Sequence, residues 1–275
     1  MLEQLFPAAW IEKKVWFSFV LGISYATLGI GSALVLFPKE PGLAAVAFIS
    51  LLSLPSLNRI LSIEEEQSAA EKKIDLLEPF RNHMDLLGVY VFLFIGVLLA
   101  FSVFSVFLPD IATNTLFSEQ VNAIGLSGRA YSSGTFGHIF SNNSVVFLFA
   151  LIASFIYGSG AIFILIWNAS VWGVVFGVAA RNSANVSSHS PLVYFLLIMI
   201  AVIPHMITEA SAYIMAALSG GIVSKAALFE KVFSERFTRV IQDALFIFGF
   251  AILLLLFSAY IESHITKGIF NMFGL

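Results

Sequence analysis

The chain has 275 residues, of which 59% are hydrophobic and only 11% charged. Soluble domains carry about 25% charged residues, so this composition indicates an integral membrane protein. The formal net charge of −3 leaves no basic face for nucleic acid, and the absence of cysteine excludes disulfides, thiolate metal sites and thiol nucleophiles.

Apolar runs long enough to cross a hydrocarbon core of about 30 Å predict an all-α, polytopic transmembrane bundle that forms a single domain over the whole chain. The first span is predicted at residues 15–37 and is retained, since it lacks the pattern of a cleaved signal. A second, weaker span covers residues 42–63 and a third covers 85–108. The charged stretch between them, residues 62–82, is interpreted as a solvated helical face.

The connection at residues 110–140 is long and polar, and loops of this length are usually functional or flexible. A fourth span is predicted at residues 143–166, after which Asn168 interrupts the apolar run. The apolar residues 171–180 reach only about 15 Å as a helix, half of what a crossing requires. This short or broken helix is either a half-helix or a crossing completed by its polar flanks, and counting it gives about seven membrane segments.

The next span covers residues 191–221 and the last covers 244–261. Between them, residues 225–243 place phenylalanine and other apolar residues at helical spacing among basic ones. This pattern predicts an amphipathic helix that lies in the membrane interface. Its basic residues are Lys225, Lys231, Arg236 and Arg239.

The positions of lysine and arginine predict the orientation, because cytoplasmic loops carry an excess of both. With a cytoplasmic N-terminus and a crossing at every span, ten of the 14 Lys and Arg residues fall on the cytoplasmic side. The four on the outside are Lys39, Arg129, Arg181 and Lys267. We therefore expect a multi-pass protein of the cell membrane with its N-terminus cytoplasmic and its C-terminus outside.

The middle of the 191–221 span holds a group of residues that cannot easily reach water: Pro204, His205, Thr208 and Glu209. His205 and Glu209 are four residues apart and share one face of a helix that Pro204 is expected to break. Three hypotheses follow: a proton or ion relay, a metal site, and a structural pair that fixes helix packing. The pair supplies only two ligands, and no second cluster completes a metal site. The relay and the structural pair both stay open.

A second set of polar candidates lies in or beside the apolar runs: Asn142, Asn143, Asn168 and Ser170. The asparagine amides can satisfy backbone carbonyls where a helix is interrupted, which is the interpretation we favour. The alternative places Asn143 and Asn168 beside His205 and Glu209 in one polar centre. No common catalytic motif is present, so we expect no enzymatic activity, no catalytic residue, no cofactor and no metal.

Several short segments match those of one family: Phe140-Ser141-Asn142-Asn143, Trp167-Asn168, Pro204-His205 followed by Glu209, and Gly220-Gly221. On these residues the chain resembles the stage II sporulation protein M family of polytopic membrane proteins, with a family-like core at residues 136–225. The segments Phe117-Ser118-Glu119-Gln120 and Trp167-Asn168-Ala169-Ser170 look more like archaeal members of that family.

The resemblance implies a membrane scaffold, since in spore-forming bacteria the family member recruits peptidoglycan-degrading partners during engulfment. Archaeal relatives have no such role available, so those partners are not carried over. We expect a scaffold in the lipid bilayer that forms a homo-oligomer, for example a dimer, and binds unidentified membrane or surface proteins but no nucleic acid. The alternative is a proton- or cation-coupled transporter or channel that uses His205 and Glu209.

Overall fold

The computed structural model describes residues 15–70, 78–123, 135–158, 160–185, 189–231, 234–266 and 268–269. Within these ranges the chain is helical and contains no strand, which confirms the predicted all-α, polytopic bundle. In chain order the helices are α1 (Phe17–Leu36), α2 (Pro41–Ala70), α3 (Glu78–Phe107), α4 (Asp110–Leu116), α5 (Phe136–Tyr157), α6 (Ile162–Asn185), α7 (Pro191–Phe229) and α8 (Glu235–Tyr260), which a π-helix (Ile261–Thr266) continues.

Within the described ranges, six segments are long and apolar enough to cross a membrane: α1, Met84–Phe107 of α3, α5, α6, Pro191–Leu228 of α7, and α8 together with the π-helix. The apolar part of α2, Pro41–Leu57, is shorter. It spans about 25 Å at 1.5 Å per residue. The chain therefore folds as a multi-pass membrane protein whose apolar helices follow the predicted order.

The prediction that Asn168 interrupts a span is wrong. The break lies earlier, at Gly158, which ends α5 with a φ of 62° that favours glycine. After it, α6 runs without interruption for 24 residues. Residues 171–180 therefore belong to a helix long enough to cross the membrane, which confirms the alternative of a crossing completed by the flanks and contradicts the half-helix. Asn168 fits inside α6 because its side-chain Nδ2 donates a hydrogen bond to the Ile164 carbonyl one turn earlier, at 2.8 Å.

The single amphipathic helix predicted at residues 225–243 is also wrong, because two helix ends divide it. α7 continues to Phe229, and α8 begins at Glu235 after the N-cap Ser234, whose hydroxyl oxygen accepts a hydrogen bond from the Phe237 backbone N–H. Serine is a preferred N-cap, and a glutamate in the first turn complements the positive end of the helix. The basic residues are consequently spread over the end of α7 (Lys225), the connection (Lys231) and the start of α8 (Arg236 and Arg239).

The long connection at residues 110–140 is more ordered than its polar composition indicates. α4 and the helical residues 118–123 fold back against the bundle, and the Phe117 ring lies fully buried 5.3 Å from that of Phe101 in α3. Arg181 of α6 closes this region, since its guanidinium donates to the Ser105 and Leu108 carbonyls at the end of α3. Part of the connection, residues 124–134, lies outside the described residues, as do the side chains of residues 58–83.

Glycine permits the closest helix approaches in the bundle. Gly22 of α1 and Gly96 of α3 face each other where these helices cross, and Gly220 of α7 lies against the Leu151 carbonyl of α5. Small residues let backbones approach closely, which is how helices associate without a hydrophobic driving force in lipid. Since α7 packs against α5, α6 and α8, it occupies the centre of one half of the bundle.

We expect Gly22→Ala to destabilise the protein and Gly31→Ala, in the same helix, to leave it unchanged or slightly more stable. A methyl group on Gly22 would lie 2.5 Å from the Leu93 carbonyl oxygen and 3.1 Å from the Gly96 Cα, whereas one on Gly31 would meet no atom of the described residues within 4 Å. Overpacking of this kind costs about 1–3 kcal/mol, while alanine is the better helix former at an open position. Thermal unfolding of both variants in detergent measures the difference, and equal midpoints would contradict the assigned crossing.

Candidate functional site

His205 and Glu209 lie on successive turns of α7 and face the interior of the bundle. Their exposed fractions are 3% and 5%, so neither side chain has appreciable contact with the surroundings of the protein. The break expected at Pro204 is absent, because α7 continues through this residue. Pro204 faces outward, where the loss of one backbone hydrogen bond is accommodated without ending the helix.

Polar groups of two helices lie at the Glu209 carboxyl. The Tyr213 hydroxyl, one turn further along α7, donates to its Oε1 at 2.6 Å. The Asn143 side-chain amide of α5 lies close enough to the same carboxyl to act as a further donor. The Glu262 carboxyl, in the π-helix, lies close enough to interact electrostatically with that of Glu209. The carboxyl is therefore buried with protein donors around it, which removes much of the cost of its burial.

The His205 side chain and backbone are joined to the last helical segment. Its Nδ1 lies 2.9 Å from the Thr266 hydroxyl oxygen in the π-helix. Its backbone carbonyl accepts a hydrogen bond from the Ser258 hydroxyl of α8 at 3.0 Å. Both contacts cross from α7 to the C-terminal helix, so His205 connects these two elements through its ring and its main chain.

We call the group formed by Asn143, His205, Glu209, Tyr213 and Thr266 the polar centre. It draws on α5, α7 and the π-helix, whose residues are far apart in the chain. α5 and α7 run in the same direction here, since Asn143 pairs with Glu209 and Leu151 lies against Gly220 further along both helices. The continuous α6 that joins them therefore runs back across the bundle.

Several residues proposed from the sequence do not join the polar centre. Asn168 bonds within α6, and the Thr208 hydroxyl donates to carbonyls of its own helix, to that of His205 at 2.8 Å and that of Pro204 at 3.1 Å. The basic residues lie near the other end of α7 and the start of α8, where Arg236 forms an ion pair with Glu230 at 2.9 Å.

Sequence reasoning did not include Tyr213, Ser258, Glu262 and Thr266 in the site. Tyr213 was within reach, because positions 205, 209 and 213 repeat every four residues and share one helical face. No pattern in the sequence linked the other three to α7, since Glu262 and Thr266 fall beyond the predicted end of the last span at residue 261. A contact between distant segments depends on the packing of the whole bundle.

The metal hypothesis gains no further ligand from the fold. Within the described ranges, no group of three or more His, Asp or Glu side chains could hold a metal ion. The donors around His205 and Glu209 are instead a hydroxyl, a phenol and an amide.

We expect Tyr213→Phe to destabilise the protein, because it leaves the buried Glu209 carboxyl with one donor fewer. An unsatisfied buried acceptor costs about 1–3 kcal/mol. Tyr157→Phe is the matched control, since Tyr157 is 78% exposed at the end of α5. Thermal unfolding in detergent should separate the two variants, and a Tyr213→Phe protein as stable as the control would contradict the importance of this hydrogen bond.

The polar centre lies within the part of the chain that matches a protein family. The family model of stage II sporulation protein M matches residues 89–267, more than half of the chain, and this range includes every residue of the polar centre as well as the segments that carried the resemblance. No curated protein and no solved structure matches the chain. The chain belongs to the stage II sporulation protein M family.

Proposed function

We propose that this protein is a non-enzymatic membrane scaffold of the archaeal type within its family, and that it works as a homo-oligomer. In this proposal the polar centre fixes the arrangement of α5, α7 and α8, and the protein supplies a rigid platform to which other membrane or surface proteins bind. The proposal assigns no catalytic residue, no cofactor and no nucleic-acid partner to the chain.

The observation that carries the proposal is that the ionisable pair is engaged by protein groups. His205 and Glu209 are nearly fully buried and contact Thr266, Tyr213 and Asn143. Neither residue is among the buried side chains left without a hydrogen-bond partner. A small cavity does occur between α1, α2 and α3, but it is lined by residues such as Ser18, Ser53 and Leu93 and includes no residue of the polar centre. A structural role requires that each of the two ionisable side chains has protein groups as partners, as it does here.

The alternative is a proton- or cation-coupled transporter or channel. One observation favours it: Glu262 brings a second carboxyl close to Glu209 within membrane-spanning segments, and His205 lies one turn before Glu209 in α7. Ionisable groups at this depth often mark ion pathways in membrane proteins. A transporter would need to expose these groups to water in part of its cycle.

The partner surfaces of the scaffold are proposed to lie outside the apolar helices. α2 continues to Ala70, beyond its apolar part, and α3 begins at Glu78, ahead of the apolar residues from Met84 onward. The described parts of the charged stretch, residues 62–70 and 78–82, therefore belong to helix ends outside the apolar windows of α2 and α3. The other candidates are the basic residues around the α7–α8 connection and the connection at residues 110–140, which the proposed orientation places outside.

The proposed orientation is unchanged by the corrected helix boundaries. The connection between the fourth and fifth membrane segments moves from Asn168 to Gly158, and neither place carries Lys or Arg. The balance of ten basic residues to four therefore still favours a cytoplasmic N-terminus and an external C-terminus.

Cysteine labelling tests this orientation, because the chain contains no cysteine and each single-cysteine variant can therefore be labelled at one position only. Lys39→Cys, in the exposed α1–α2 connection, should react with a membrane-impermeant maleimide in intact cells. Lys231→Cys, exposed in the α7–α8 connection, should react only after the membrane is permeabilised. The reverse pattern would overturn the proposed orientation, and labelling of both in intact cells would contradict the number of crossings.

Glu209→Gln tests the scaffold against the transporter. We expect the variant to form the same oligomer and to co-purify the same proteins from native membranes as the unchanged chain, since glutamine keeps the size and one acceptor of the side chain. Charge reversal at Arg236 and Arg239 should instead reduce co-purification. A pH-dependent flux in reconstituted vesicles that the unchanged chain supports and Glu209→Gln abolishes would sink the scaffold proposal.

A further inference from the structure

A second polar cluster lies apart from the polar centre, where the chain folds back after α4. The helical residues 118–123 follow Phe117, which is buried against α3, and they carry Gln120 into the bundle with an exposed fraction of 0%. Gln120 lies between the start of α2 and the middle of α6. The Gln120 side chain therefore joins three segments that are distant in sequence.

The orientation of the Gln120 amide follows from its neighbours. Its Nε2 lies 3.3 Å from the Gly42 carbonyl oxygen and 3.3 Å from the Ser170 hydroxyl oxygen. A carbonyl can only accept, and the Ser170 hydroxyl already donates its proton to the Trp167 carbonyl. The nitrogen must therefore be on this side, and the amide oxygen Oε1 points the other way.

Two buried acceptors are left without a donor on that other side. Among the residues that the structure describes, neither Gln120 Oε1 nor Glu119 Oε2 has a hydrogen-bond partner. Both oxygens lie 2.5 Å from the position that a Cβ on Gly42 would occupy, and the Leu116 carbonyl oxygen lies 3.1 Å from it. The two side-chain oxygens are therefore no more than about 5 Å apart, a distance that one cation with metal–oxygen bonds of about 2.5 Å can span.

We propose that Glu119 Oε2 and Gln120 Oε1, assisted by the Leu116 carbonyl, bind a monovalent cation of the size of sodium. Buried acceptors that face each other without a donor are costly, and a cation between them removes that cost. Hard alkali cations prefer oxygen ligands, and a single carboxylate balances a single positive charge. Leu116 ends α4, and the carbonyl end of a helix carries partial negative charge that favours a cation.

The absence of a side chain at position 42 is part of this site. Any Cβ there would lie 2.5 Å from both unpartnered oxygens and would push them apart. Glycine thus leaves the space in which the carboxylate and the amide oxygen approach each other at the start of α2. The cation would fasten the folded-back segment to α2, so we expect it to stabilise the fold without touching His205 or Glu209.

The test is thermal unfolding of the purified full chain in detergent, with sodium chloride replacing choline chloride at constant ionic strength. Saturating sodium should raise the unfolding midpoint by about 5 °C, because a ligand that binds only the folded state stabilises it. Equilibrium dialysis with radioactive sodium should show one bound ion per chain. Equal midpoints in sodium and choline, with no bound sodium, would overturn the proposal in favour of a water molecule or a protonated Glu119.

Three variants make the test specific. Glu119→Gln and Gly42→Ala should lose the sodium response and the bound ion, the first by removing the charge and the second by separating the oxygens. Glu40→Gln, a carboxylate to amide change at an exposed position nearby, should keep both. In Glu119→Gln the new side-chain NH2 can donate a hydrogen bond to Gln120 Oε1, so this variant should fold. A Glu119→Gln protein that still binds sodium would overturn the site, whereas Glu209→Gln should retain the response whatever the function of the polar centre.

Discussion

The burial of Glu209 in the middle of an apolar helix is the constraint on which the rest of this structure depends. An isolated carboxylate at this depth costs at least about 3 kcal/mol. The protein meets that cost with donors from Asn143 of α5 and Tyr213 of α7. The adjacent His205 is held by Thr266 and Ser258 in the C-terminal segment. Because Asn143, Ser258 and Thr266 lie on other helical segments, α7 gains these partners only when α5 and the C-terminal segment are packed against it in one register.

Close helix packing makes those hydrogen bonds possible. The Asn143 side chain is short, so its contact with Glu209 requires the α5 and α7 backbones to approach each other. Gly220 lies directly against the α5 backbone further along the pair. The same device recurs at Gly22 and Gly96 in the other half of the bundle. In lipid there is no hydrophobic driving force between helices, so close packing at small residues and buried polar hydrogen bonds together specify the arrangement.

Composition and hydropathy were sufficient to predict a helical membrane protein, and the spacing of His205 and Glu209 identified the helix that carries the polar centre. The wrong helix boundaries arose where one sequence pattern is compatible with two local structures. Asn168 in an apolar run indicates a break, but a mid-helix asparagine can hydrogen-bond to the preceding turn, and the helix ends instead at Gly158. Ser234 is an N-cap within a pattern that looked like one amphipathic helix. The contact of Thr266 with His205 could not be predicted, since it depends on tertiary packing between distant segments.

The central claim is that the polar centre is a structural link between α5 and α7. A double-mutant cycle of Asn143→Ala and Glu209→Ala, measured by equilibrium unfolding in detergent, tests it most directly because the cycle isolates the energy of the contact. The account predicts that the double variant loses less stability than the two single changes combined, with a coupling of at least about 0.5 kcal/mol, as for other hydrogen bonds between membrane helices. Strictly additive losses would contradict it.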